Sequence, residues 1–234
     1  MVNYQNKNVA IIGATGGLGE VLCKNLAEQG AKLSISSTNA EKLNALAAEL
    51  SKTAEVFAQV VDVTKEEDVA AFFTKSFETF GEIHATVNLA GLSIPAKISE
   101  MAVEDYEKMM DVNVKGTFLA GKHFAKYAAK PAILINIGST AAKTANPNAP
   151  IYCTSKAAVN MMSQGMLLQM GSQDIRVTTI NPGGIDTPFW GTRKVDRTKL
   201  MCAEDVVDVI MFALMSSPRI QIHDIYFESS ARFN

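Results

Sequence analysis

Seven short apolar runs alternate with six helix-length amphipathic segments along this sequence, and that alternation constrains the fold more than any other feature. The strand-like runs are 8–12, 32–36, 56–61, 85–89, 133–137, 176–180 and 224–227. Between them, 17–29 carries Leu18, Val21, Leu22 and Leu26 at helical spacing before Gly30, and 40–50 places Leu43, Leu46, Ala47 and Leu50 on one face. Helical patterns also cover 65–80, closed by Gly81; 103–129, with Pro131 after it; 152–170, ended by Gly171; and 203–214. Most of these strands, of four to six residues, are predominantly apolar and have little polar face to give to water. They predict a mostly parallel seven-stranded sheet with helices on both faces, an α/β three-layer sandwich. At 234 residues, with no repeat or linker, the sequence reads as one domain over 1–234.

The first strand runs into Gly13-Ala14-Thr15-Gly16-Gly17-Leu18-Gly19. Glycines in a tight strand-to-helix turn let the backbone approach a pyrophosphate, and the helix that follows offers free N–H groups and a partial positive charge. This points to a doubly wound, Rossmann-type nucleotide site, although the glycine spacing is three residues then one rather than one then two. An ordinary tight turn remains the bland alternative.

Further on stand Ser139 and Tyr152-Cys153-Thr154-Ser155-Lys156. A free tyrosine, with a pKa of about 10, is a poor base near neutrality. A lysine at i+4 shares its helix face and brings a positive charge that should lower the phenol. Tyr152 is therefore the candidate general acid/base and Lys156 its electrostatic partner. Ser139 follows the fifth strand, at the carboxyl edge where open α/β sheets bind ligands, and is placed to donate to a substrate oxygen.

Together, Gly13-x-x-x-Gly17-x-Gly19, Asn88-Leu89-Ala90-Gly91, Asn113, Ser139, Tyr152-x-x-x-Lys156 and Pro182-Gly183 resemble the short-chain dehydrogenases/reductases, in order and over nearly the whole chain. Ile12 stands where the family has Thr, and Leu89 where it has a second Asn. The resemblance implies an NAD(P)-dependent alcohol dehydrogenase or carbonyl reductase with Asn113, Ser139, Tyr152 and Lys156 as the catalytic set. Asn113 would be the water-holding member of a proton relay, and Lys156 would also hold the nicotinamide ribose. It implies cofactor contacts from Gly13, Thr15, Gly16, Gly17, Leu18 and Gly19 at the turn. Asp62 and Val63 would lie at the adenine, Asn88, Ala90 and Gly91 along the adenosine and ribose, and Pro182, Gly183, Ile185 and Thr187 at the nicotinamide amide. A 3-oxoacyl-thioester reductase and a catalytically idle nucleotide-sensing module are the alternatives. Asp62 also has a structural reading at a helix start, where Thr64 with Glu67 looks like a capping box.

The ribose-binding position is Ser36-Ser37-Thr38-Asn39, without the carboxylate that would repel a 2′-phosphate, so Ser37 and Thr38 favour NADP over NAD. Residues 186–201 read as a substrate lid holding Phe189 and Trp190 beside Arg193, Lys194, Arg197 and Lys199, cations that could clamp an anionic group on a small substrate. Met161, Met162, Met166 and Met170 fall on the helix that in this family often packs between subunits, which implies a homotetramer or homodimer. A net charge of −2 argues against nucleic acid as a partner. Three scattered cysteines suggest neither disulfides nor a metal site, and no apolar run spans a bilayer, which predicts a cytoplasmic protein.

Overall fold

In the computed structural model, which describes residues 2–233, the strands are β1 (Asn8–Ile12), β2 (Lys32–Ser37), β3 (Val56–Val60), β4 (Ile83–Asn88), β5 (Ala128–Ile137), β6 (Ile175–Pro182) and β7 (Asp224–Phe227). All are parallel, in the order β3-β2-β1-β4-β5-β6-β7. The sheet is thus fully rather than mostly parallel. Its strand order reverses between β1 and β4, which opens a crevice beyond their carboxyl ends.

The helices are α1 (Gly17–Glu28), α2 (Ala40–Leu50), α3 (Glu66–Phe80), α4 (Val103–Met110), α5 (Gly116–Tyr127), α6 (Pro150–Met170) and α7 (Ala203–Met215). Strand residues alternate between two cores, as their period of two requires. Val9 and Ile11 join Leu22, Leu26, Leu43, Val206 and Ile210 from α1, α2 and α7. Ala10 and Ile12 join Phe72, Phe73, Leu119, Phe124 and Met166 from α3, α5 and α6. The methionines of α6 divide accordingly: Met166 and Met170 are buried, whereas Met161 is 68% exposed and Leu168, one heptad on, 85%.

Two expectations change. The helix expected over 103–129 is two helices joined by a π-helical turn at Asp111–Lys115, and β5 begins at Ala128, five residues before its expected start. Ala128-Ala129 favours helix locally, but pairing of Ala128 with Ile83 overrides that preference. The capping box also does not form. Lys65 occupies the N-cap of α3 without a side-chain bond, and Thr64 instead donates its N–H (3.0 Å) and hydroxyl (2.7 Å) to Asp62 Oδ1.

Candidate active site

The glycine turn closes on itself. The N–H groups of Gly13 and Ala14 both donate to Ser36 O at 2.9 Å, fixing the turn to β2, and Gly13 takes φ +83°. A Cβ on Gly19 would lie 2.4 Å from Ala14 O, and one on Gly13 3.1 Å from Ala90 N. A Cβ on Gly17 would lie 2.8 Å from Thr187 Cγ2, so the turn and the Thr187 segment face each other across the crevice. Gly16 caps α1 with no side-chain hydrogen bond to the helix, so no side chain competes for the first-turn amides of Gly17, Leu18 and Gly19. This cradle fits a dinucleotide pyrophosphate on the chain's own geometry.

Beside it, Thr15 Oγ1 and Ser37 Oγ are 2.5 Å apart, and Ser37 Oγ accepts from Asn39 N at 3.3 Å. Thr38 is exposed. Asn39 caps α2 by accepting from Lys42 N at 2.9 Å. The expected ribose-binding corner is therefore lined by hydroxyls.

Asp62 is held by Thr64. Burial pushes its carboxyl up, but the two Thr64 hydrogen bonds, with Lys65 and Lys115 nearby, outweigh burial and hold it below the ordinary value. Val63 packs against Gly116, where a Cβ would come within 2.9 Å of its Cγ2. Asn88 donates to Thr117 Oγ1 (3.2 Å) and accepts from Ala90 N (3.3 Å), so it shapes the Ala90-Gly91 loop from below. A Cβ on Gly91 would sit 3.3 Å from Lys156 Nζ and 3.4 Å from Asn113 Oδ1, so this glycine keeps open the space between them. Gly183 N donates to Phe227 O (2.8 Å), and Ile185 pairs with Met201.

Tyr152 and Lys156 lie one turn apart on α6, with the Lys156 ammonium 5.9 Å from the Tyr152 ring centre. Burial raises the Tyr152 phenol above its ordinary value, opposed chiefly by the neighbouring Ser139 hydroxyl. The expected depression by Lys156 is not seen; burial pushes Lys156 itself down to about 8 while it donates to Ile137 O at 2.8 Å. Asn113 lies in the π-helical turn, its Oδ1 accepting from Leu92 N (2.8 Å) and its Nδ2 donating to Leu92 O and Ser155 Oγ (both 2.9 Å). Both amide protons are thus engaged by protein, and any bond to a relay water falls to the main-chain carbonyl, which already accepts from Thr117 Oγ1 at 2.7 Å. Ser155 and Leu92 were not foreseen. Ser155 is visible in hindsight as the polar residue between Tyr152 and Lys156 on the buried side of α6.

Residues 186–201 leave and return at one point, pinned by Asp186 N to Met201 O (2.8 Å) and Met201 N to Gly184 O (3.1 Å). Phe189 stands 6.0 Å from the Tyr152 ring, and Trp190 donates to Ile185 O at 2.6 Å. Two of the lid cations have partners within the lid, while Lys194, Arg197 and Lys199 stay exposed. The Arg193 guanidinium packs 5.3 Å from the Phe189 ring centre and 5.0 Å from that of Trp190, and donates to the carbonyls of both residues. Arg197 pairs with Asp186. The lid's own acceptors thus engage both of the arginines that the sequence offers as an anion clamp. Among the described residues no cluster of metal-ligating side chains occurs, and no helix is long and apolar enough to cross a membrane.

The chain matches the family model for short chain dehydrogenase over residues 7–198. It is 32% identical to an uncharacterized oxidoreductase of Staphylococcus saprophyticus, over 96% of this chain and 98% of the relative, and 30% identical to one of Staphylococcus aureus with the same coverage. A short chain dehydrogenase from Burkholderia cenocepacia in complex with NADP superposes with a TM-score of 0.91 at 22% identity, over 99% of this chain and 100% of the other. An alcohol dehydrogenase from Thermococcus sibiricus complexed with 5-hydroxy-NADP gives 0.87 at 24% identity, over 96% and 97%. At these identities the structural likeness speaks for the fold.

Proposed function

Since this protein belongs to the short-chain dehydrogenase/reductase family and is thereby an oxidoreductase, we propose that it moves a hydride between NADP, in preference to NAD, and the secondary alcohol or carbonyl of a small substrate. The observation that carries this reading is the meeting of Ser139, Tyr152 and Lys156 at the carboxyl edge of the sheet, beside an uncapped glycine turn.

The cofactor, when bound, supplies or accepts the hydride. Gly13, Thr15, Gly16, Gly17, Leu18 and Gly19 would hold its pyrophosphate, Ser37 and Thr38 the adenosine ribose with its phosphate, and Asp62 and Val63 the adenine side. Asn88, Ala90 and Gly91 would line the adenosine and ribose, and Pro182, Gly183, Ile185 and Thr187 the nicotinamide. Ser139 orients the substrate oxygen by donating its hydroxyl proton. Tyr152 gives that oxygen a proton in reduction and takes one in oxidation. Its raised pKa keeps it protonated near neutrality, which poises it as an acid for carbonyl reduction. Lys156, fixed by Ile137 O, presents a charge to the phenolate that remains.

The apolar wall formed by Phe189, together with the engagement of Arg193 and Arg197 within the lid, favours a neutral carbonyl compound over an anion. The exposed Met161 and Leu168, with Phe118 at 46% on α5, support assembly of two or four copies through this face. A 25 kDa particle in sedimentation at micromolar concentration would exclude assembly.

The test is NADPH and NADH oxidation at 340 nm over a panel of ketones, aldehydes and oxo-acids. Tyr152→Phe should lower kcat/KM by about 10²- to 10⁴-fold. Full activity in that variant would refute the assignment.

A further inference from the structure

Behind Ser139 lies a pair of amides, one buried and one half-buried. Asn181, on β6, is fully buried, and its Oδ1 accepts the main-chain N–H of Ser139 at 3.1 Å. Asn160 lies on α6 at i+4 from Lys156 and i+8 from Tyr152, in the same row as both. The two amides converge over Gly138: a Cβ there would lie 2.0 Å from Asn181 Oδ1 and 2.6 Å from Asn160 Oδ1. Only a glycine leaves room for both amides above the end of β5.

Asn160 Oδ1 is buried without a donor, while Asn160 Nδ2 stands 2.5 Å from Tyr226 Oη. That separation is below the N–H···O range and at the short end of the O–H···O range. Turning the amide over resolves both features at once, because an amide's oxygen and nitrogen are told apart by their partners. The Tyr226 phenol then donates to Asn160 Oδ1, and Asn160 Nδ2 takes the place over Gly138 beside Asn181 Oδ1, the acceptor of the Ser139 N–H. Lys143 Nζ, 3.5 Å from the centre of the Tyr226 ring, packs against the outer end.

We propose that Asn160 and Asn181 are positioning residues that fix the Ser139 backbone to α6, with Tyr226 anchoring the far end of the chain. The two hydroxyls at the reaction centre then share one reference body. Tyr152 is carried by α6 directly, and Ser139 is tied to it through the two amides. Rate depends steeply on such registration, since about 1 Å of misplacement costs on the order of 10²-fold.

This inference rests on the proposed reaction, so its test has two arms. In the first, Asn181→Ala should lower kcat about 10- to 100-fold while leaving KM for NADPH within about twofold. Asn181→Asp, which keeps an acceptor oxygen, should recover most of the loss. In a Ser139→Ala background, Asn181→Ala should add little, because it acts through Ser139. Unchanged kcat in Asn181→Ala, or an equal loss in the Ser139→Ala background, overturns the proposal. The second arm needs no substrate: hydrogen exchange of the Ser139 amide should speed at least about tenfold in Asn181→Ala. Unchanged protection sinks the positioning role, whereas faster exchange in a protein inert toward every carbonyl sinks the proposed reaction and leaves the brace standing. Should Asn181→Ala fail to fold, Tyr226→Phe, which deletes one oxygen, should still lower kcat severalfold, and an unaltered kcat there counts against the chain of bonds.

Discussion

Lys156 donates to the main-chain carbonyl of Ile137 at 2.8 Å and is buried to 4% exposure. The contact fixes the ammonium one turn below Tyr152 but offers it only a neutral acceptor, and burial drives its pKa down to about 8. A lysine in the unfolded chain titrates near 10.4. Between those two values the unfolded chain holds more protons than the folded one, so stability rises as pH climbs from about 8 to about 10.4. Below pH 8 the burial penalty is present in full, of order 3 kcal/mol for a shift of this size.

Lys156→Met should therefore abolish turnover yet flatten this rise. The difference in denaturation midpoint between wild type and variant should shrink or reverse at pH 7 relative to pH 10. A parallel offset at both pH values would show that the lysine is fully solvated in its charged form.

Cofactor choice should turn on the hydroxyl corner formed by Thr15 and Ser37. Ser37→Asp sets a carboxylate where a 2′-phosphate would lie, and should shift the ratio of kcat/KM for NADPH over NADH downward by at least about tenfold, roughly 1.4 kcal/mol. An unchanged ratio would place the discriminating contact elsewhere.

The glycines should divide by what surrounds them. Gly19→Ala drives a methyl to 2.4 Å from Ala14 O and should destroy cofactor binding and lower Tm by several degrees. Gly165→Ala meets nothing within 4 Å on α6 and should stabilise the subunit by about 0.5–1 kcal/mol. Thermal unfolding with and without NADPH separates the two.

At the lid, Arg193→Ala removes the cation packed on Phe189 and Trp190. KM for a neutral ketone should rise a fewfold, by about 0.5–1 kcal/mol for each lost cation–π contact, with no larger effect on an oxo-acid. A loss confined to anionic substrates would restore the clamp.

The sheet was legible because parallel strands are buried on both faces and so appear as unbroken apolar runs, Val9-Ala10-Ile11-Ile12 among them. The junction at Asp111–Lys115 was not, since a π-helical turn adds a residue without changing the apolar pattern. Ser139, Tyr152 and Lys156 could be singled out because local spacing and family motifs mark them. Asn160 and Asn181 could not, because their meeting over Gly138 joins α6, β6 and the end of β5. Arginines 193 and 197 looked like free cations, since a sequence does not show which carbonyl or carboxylate will reach them first.

Gly91 sits where a single methyl would meet the Lys156 ammonium at 3.3 Å and the Asn113 amide at 3.4 Å. The nearest obstacles are thus the working groups themselves, while the pyrophosphate cradle lies around other residues. Bulk at position 91 therefore presses first on the ammonium and the amide, and, because the same residue is proposed to line the ribose, proton transfer and cofactor seating draw on one small space.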